Sequence, residues 1–237
     1  MLKKRIIPTL LIKNMGLVKD IGFISKRRVG SVLPQVKIYN LRDVDELIIM
    51  NIAATNENQD VDILEVEEFC RHNFVPLTIG GGINNLDQIS KLLSVGADKV
   101  SLNSTLYNDF DFVKNAINIF GAQCIIASVD YKKENQQRVC YSHSGKKKEG
   151  EKLEDWIYKL DDIGIGEILL TCISADGSMD GYDIELIKQI SQKISSPLIV
   201  SGGAGNYKDM LECFHAGADA VCAASIFHFT ELTPAGA

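Results

Sequence analysis

No two of the six cysteines in this chain fall at a CxxC spacing. That absence removes the short-spaced zinc and redox motifs. Cys124, Cys172 and Cys222 lie inside apolar runs, so buried free thiols are expected ahead of disulfides or metal ligands. Neither a metal nor a cofactor is expected. No apolar run approaches the ~18–20 residues needed to cross a bilayer, so a membrane-spanning role is excluded. An excess of positive charge is also missing. The net charge is −6, and no overall basic field would draw in nucleic acid or an anionic membrane. The lysines at Lys132–Lys133 and Lys146–Lys148 read as local, solvated loops, with contact to an anionic ligand as the alternative. Met1-Leu-Lys-Lys-Arg leads directly into a short strand, without the apolar core of a signal peptide. A cytoplasmic protein is expected.

What is present is a chain of 237 residues, 46% hydrophobic. That is enough for one large α/β domain or two small ones. Short β-branched runs alternate with segments of helical period. Strands are predicted near 5–11, 46–52, 75–80, 98–103, 124–130, 167–173, 197–202 and 219–224. Helices are predicted at about 31–42, 60–73, 85–94, 108–119, 152–163, 182–194 and 206–215. Runs such as VPLTIG and SPLIVSG are apolar throughout, as strands covered on both faces should be. Asp60 before the second helix, and Gly96 and Gly217 after two others, supply helix punctuation. Eight strands separated by helices predict one (β/α)8 barrel domain over residues 1–237. A doubly wound open sheet is the rival.

The chain repeats itself at half its length. VDELIIMNI (44–52) matches IGEILLTCI (165–173), LTIGGG (77–82) matches IVSGGA (199–204), and GADKVSLNS (96–104) matches GADAVCAAS (217–225). Each pair is offset by about 121 residues, far beyond a solenoid period, so two half-barrels of four βα units are expected.

In such a barrel the loops after the strands form the working face. Glycines there let backbone N–H groups approach an anion, and a helix start adds its positive end. Each half therefore offers a phosphate cradle: Gly81, Gly82, Asn103 and Ser104 in one, Gly202, Gly203, Ala224 and Ser225 in the other. The plainer alternative is a set of tight βα turns. Two cradles across one mouth imply an elongated ligand with a phosphate at each end.

RII, TIGGGI, GADKVS-N, SGKK, GEILLT, SGGAG and AAS-FHF occur together and in order. On these motifs, from Arg5 to about Phe229, the chain resembles the cyclase subunit of imidazole glycerol phosphate synthase. The resemblance implies a barrel that takes ammonia from a glutaminase subunit. With it the barrel cleaves and cyclises a bis-phosphorylated ribonucleotide, giving imidazole glycerol phosphate and an aminoimidazole carboxamide ribotide. It also implies one aspartate after the first strand and one after the fifth, a pair suited to acid–base work. Asp130, in CIIASVDYK, matches the second, whereas Leu11, in RIIPTLLIK, stands at the first. Leucine can neither give nor take a proton. Asn51 and Ser174 also stand where the cyclases commonly carry aspartate. Asp176 and Gly177 remain on the phosphate side, Lys19 is placed to clamp a phosphate from the loop after the first strand, and Ser144 and Lys146 match the SGK stretch.

Arg5, Glu46, Lys99 and Glu167 begin the first, second, fourth and sixth strands. Two acids and two bases at one end of a barrel can satisfy each other as a stabilising plug. The resemblance adds a second meaning, since in the synthases a matching ring guards the ammonia entrance against the glutaminase. Asp98 is placed to face the same partner. TLLIKNMGLVKD (9–20) looks most like a branch of the family associated with surface-polysaccharide gene sets. Members of that branch are thought to supply ammonia to a separate sugar amidotransferase. Rival readings are an ordinary histidine-pathway cyclase relying on Asp130, a non-catalytic barrel that activates a glutaminase, and a two-phosphate sugar isomerase, which also needs the acid missing at Leu11. After FHFTELTPAGA there is little room for a full eighth helix.

Overall fold

The computed structural model describes residues 3–14, 16–24, 27–135 and 137–237. Among them, twelve strands form one sheet. In chain order they are β1 Arg5–Lys13, β2 Gly16–Lys19, β3 Arg27–Ser31, β4 Leu47–Asn51, β5 Leu77–Gly80 and β6 Lys99–Leu102. Then follow β7 Ile125–Glu134, β8 Gln137–Ser142, β9 Lys147–Lys152, β10 Glu167–Cys172, β11 Leu198–Ser201 and β12 Ala220–Ala223. Eight of these pair in parallel as β1-β4-β5-β6-β7-β10-β11-β12, and β12 returns to β1. The sheet is therefore a closed (β/α)8 barrel, and the open-sheet alternative is ruled out by that closure.

Helices cover the outside, with Val32–Leu41, Ile63–Arg71, Leu86–Ser94, Phe110–Phe120, Leu153–Asp162, Ile184–Ser191 and Tyr207–His215 near their predicted places. Their apolar stripes pack on the outward strand residues in one large cluster. The cap of the second long helix is Asp62, which accepts from the Glu65 N–H, and not Asp60, which instead accepts from Gln88 Nε2. After β12 only a short helix, Ser225–Phe229, and a single turn, Pro234–Gly236, follow.

Four strands were not predicted. β2 and β3 form an antiparallel excursion after β1, and β8 and β9 form another after β7. β1 and β7 are the first strands of the two halves, so the repeat extends to its elaborations. Leu11 consequently does not end its strand, which runs on to Lys13, and Asp130 lies inside β7. Lys132, Lys133, Lys147 and Lys148 belong to strands, not to loops. Cys124 ends a short 3-10 turn, Ala122–Cys124, and is only half-buried, while Cys172 and Cys222 are buried in strands; all six thiols are free.

The halves share their joinery. Asp98 accepts from the Leu77 N–H at 2.8 Å, and Asp219 accepts from the Leu198 N–H at 3.0 Å. Asn85 and Asn206 each accept from a backbone N–H in the first turn of the helix they cap. Asp98 makes this bond while remaining exposed at the surface.

Period-2 alternation stacks the barrel interior in layers. At the N-terminal end, Arg5 and Lys99 alternate with Glu46 and Glu167 in a closed ring of ion pairs. The contacts are Arg5–Glu46 2.8 Å, Arg5–Glu167 2.7 Å, Lys99–Glu46 2.9 Å and Lys99–Glu167 2.8 Å. Above it lies a compact apolar layer that includes Ile7, Ile48, Ile126, Leu169 and Ile199. Thr9, Ser101, Ser128, Thr171 and Ser201 come next, lining the floor of a cavity.

Candidate active site

That cavity opens at the C-terminal ends of the strands and encloses about 390 Å³. Leu11 and Asp130 both line it, as do Gly81, Gly82, Asn103, Ser104, Asp176, Gly177, Gly202, Gly203, Ala224 and Ser225. The fold thus brings these residues together, along with Asn51 and Ser144, whereas Lys19, Lys146 and Ser174 are not on the cavity wall. Lys19 ends β2 and is buried; its charge is answered by Asp176 and Asp20. Burial pulls its ammonium down to about 8, against the pull of those two carboxylates.

The glycines are dictated by backbone approach. A Cβ on Gly81 would lie 2.1 Å from the Asn51 carbonyl oxygen, and one on Gly202 would lie 2.5 Å from that of Cys172. Both residues have positive φ, 103° and 87°. Corresponding positions in the two halves therefore meet corresponding carbonyls, and both loops contribute to the cavity wall.

Asp130 is buried beside Asn103, whose Nδ2 donates to Asp130 Oδ2 at 3.1 Å and to the Ser128 carbonyl at 3.0 Å. The Asn103 Nδ2 is thereby engaged by Asp130 and the Ser128 carbonyl, while the residue also lines the cavity. Burial pushes the Asp130 carboxyl up to about 7, the Asp176 charge adds to this, and hydrogen bonds from Thr171 and Asn103 oppose it. Burial likewise pushes Asp176 up to about 6, with Lys19 opposing and Asp20 reinforcing. Asp130 and Asp176 are thus both held above the usual carboxylate range, Asp130 the further of the two. Where the family resemblance calls for a third carboxyl group, Leu11 pairs with Met50 across β1 and β4, and both line the cavity as apolar wall.

Asp130 also makes a stability prediction. Unfolded, it titrates near 3.8; folded, near 7. The folded state retains the proton that the unfolded state releases, so stability falls as pH rises from about 4 to about 7 and then levels. Asp130→Asn keeps the shape and removes the cost. Its gain in melting temperature over the unmodified chain should be small at pH 4 and large at pH 8, on the order of a few kcal/mol at the upper end. Equal gains at both pH values would refute the assignment.

Among the residues of the mouth that sequence reasoning missed is His143, which lines the cavity from the turn between β8 and β9. The alternation in QRVCYS was the available signal for the β7–β8–β9 excursion. Ser144, read from the SGK motif, donates to the Ile52 carbonyl at 2.7 Å, and the Lys146 side chain is exposed. Among the described residues, no group of three His, Cys, Asp or Glu is placed to hold a metal, and no helix is long and apolar enough to cross a membrane.

A closed barrel of two matched halves, with glycine loops and carboxyl groups around one mouth at the C-terminal ends of its strands, defines a (β/α)8 barrel of the half-barrel-repeat class. Residues 5–233 match the family model described as histidine biosynthesis protein, and the chain belongs to that family. Within it, the chain is a homologue of the cyclase subunit, HisF, of imidazole glycerol phosphate synthase. A Campylobacter jejuni protein provisionally named imidazole glycerol phosphate synthase subunit hisF2 is 44% identical over 234 residues, covering 99% of this chain and 93% of that protein. Imidazole glycerol phosphate synthase subunit HisF of Dehalococcoides mccartyi is 41% identical over 98% of this chain and 92% of its own length. That of Chlorobaculum parvum is 40% identical over 97% and 92%.

Proposed function

We propose that this chain is the ammonia-receiving barrel of a glutamine amidotransferase complex, with a mouth for a bis-phosphorylated ligand and a weakened capacity for ordinary cyclisation. In this reading a glutaminase docks on the N-terminal face, around Arg5, Glu46, Lys99 and Glu167. Ammonia, small and neutral, passes the apolar layer more readily than ammonium, whose charge would be costly to bury there. The Gly81–Gly82 and Gly202–Gly203 loops, with the helix starts at Ser104 and Ser225, hold the two phosphates. Asp130 is the acid–base group. The observation that carries the reading is the contrast between the two ends of the barrel. The charged ring is complete, while the mouth has Leu11 in the place of a carboxylate.

Losing one acid–base group typically costs ~10²–10⁴ in rate. An ammonia-supplying complex whose own cyclisation is this slow suits a redirected role, in which the nitrogen serves amidation of a surface-polysaccharide sugar by a separate enzyme. The competing reading, a histidine-pathway cyclase working through Asp130, draws on the 41% identity to a named HisF subunit. One assay separates them: turnover of the bis-phosphorylated cyclase substrate by the purified chain with ammonium salt, alongside calorimetric binding of that substrate. Binding with only residual turnover is expected. Turnover at a rate typical of enzymes, ~1–10³ per second, would return the chain to histidine synthesis.

A further inference from the structure

His143 is held more firmly than a surface histidine has reason to be. Its backbone N–H donates to Ser104 Oγ at 3.1 Å, and its carbonyl accepts from Asn56 Nδ2 at 3.1 Å. Its φ is +54°, the left-handed region, and Ser144 and Gly145 follow at +55° and +74°. Such backbone persists where the surroundings over-determine it, and it clusters at functional sites.

The side chain is fixed as well. Nδ1 lies 2.6 Å from Ser142 Oγ, and Ser142 Oγ also bonds Glu149 Oε1. Ser142 is fully buried, and the Glu149 side chain is 9% exposed and paired with Lys147 at 3.1 Å. The chemistry of the three groups sets the direction of these bonds. A carboxylate only accepts, so the single Ser142 hydroxyl proton goes to Glu149. Ser142 oxygen must then accept from His143, which places the ring proton on Nδ1. The neutral ring therefore carries its lone pair on Nε2, the nitrogen for which no protein partner is found among the described residues. The Glu149–Ser142–His143 hydrogen bonds thus hold one tautomer.

The same elements place His143 and Asp130 on the wall of one cavity. Asn103 holds Asp130, and its neighbour Ser104 holds His143. β8 pairs with β7 so that Tyr141, two residues before His143, lies opposite Asp130.

The geometry points to His143 as a second proton-transfer group of this mouth, positioned by Ser142 and Glu149 and acting with Asp130. The inference rests on the residual cyclisation of the preceding reading, in which ammonia reacts in this cavity with a carbonyl carbon of a phosphorylated ligand. As the C–N bond forms, the carbonyl π pair moves to oxygen and the nitrogen becomes cationic. His143 Nε2 takes one N–H proton, and protonated Asp130 gives one to the oxygen. One proton is accepted and one donated, so no other reactant is needed.

Two measurements test this. The first is nitrogen-15 NMR of the histidine-labelled chain, with the His143 signal assigned through His143→Asn. The neutral ring should be the Nδ1–H tautomer, and Ser142→Ala should release that preference. The second is the residual ammonia-dependent turnover. His143→Asn should lower it by ~10²-fold or more, with substrate binding within about twofold. The loss should be far smaller when Leu11→Asp is also present, because the carboxylate then supplies a second acid–base group. An Nε2–H tautomer, or undiminished turnover in His143→Asn, overturns the role of His143. Silence from Leu11→Asp itself tells against the proposed reaction instead, and the tautomer then decides His143 alone.

Discussion

Leu11→Asp is expected to raise ammonia-dependent turnover of the bis-phosphorylated substrate by ~10²-fold or more over the unmodified chain. The site is prepared for it. β1 presents Arg5, Ile7, Thr9 and Leu11 inward by strict alternation, so a carboxylate at 11 would enter the cavity that Asp130 already lines. Leu11 is partly exposed there, so the new charge need not be buried in the core. The gain should be confined to the catalytic rate, because the glycine loops proposed to hold the phosphates are untouched. A gain in affinity with no change in rate would show that residue 11 acts on binding. No change in either, with binding intact, would place the loss of chemistry elsewhere, with Asn51 the first position to examine; its side chain now accepts from the Ala53 and Ala54 N–H groups.

The second large effect belongs to the other end of the barrel. Glu46 is 2% exposed and accepts from Arg5, Lys99 and Thr78. Glu46→Ala would leave two cations sharing Glu167. Breaking a buried ion pair from one side typically costs ~3–5 kcal/mol. Arg5 and Lys99 keep 21% and 17% exposure, so the lower figure, ~3 kcal/mol, is expected. Chemical denaturation followed by circular dichroism measures it. Pairing Glu46→Leu with Lys99→Met should recover part of the loss, because replacing a pair costs less than orphaning a charge. The exposed Lys3–Asp45 pair is the control: at 2.7 Å but with Lys3 84% exposed, its loss should move the unfolding midpoint far less than Glu46→Ala does. A Glu46→Ala cost as small as the control would remove the ring from the stabilising interactions.

The parts of this molecule that were legible in its sequence are those where one physical rule acts alone. Parallel strands buried on both faces read as unbroken apolar runs, as in PLTIG and PLIVS. The half-length repeat exposed both glycine loops, because their neighbours' carbonyls forbid any other residue. The charged ring was legible because four ionisable residues cannot share one barrel end unpaired. What stayed hidden depends on contacts between segments distant in sequence. The excursions are short antiparallel strands rich in lysine and glutamate, such as KKEGEK, whose polarity imitates a loop. Lys19 reads as a mobile cation until β2 carries it into the protein beside Asp176. His143 lacks any motif of its own, and its setting comes from Ser142, Ser104, Asn56 and Glu149 only after the chain folds back.

The matched halves carry a consequence for loading. A vessel whose two ends are alike offers a two-ended guest two ways in, head first or reversed. Backbone cradles cannot tell them apart, since Gly81 and Gly202 meet equivalent carbonyls. Only departures from the repeat give the vessel a compass: Leu11 against Asp130, Asn103 against Ala224, and His143 on one arm alone. In this molecule the residues that break the internal likeness are the ones that assign direction.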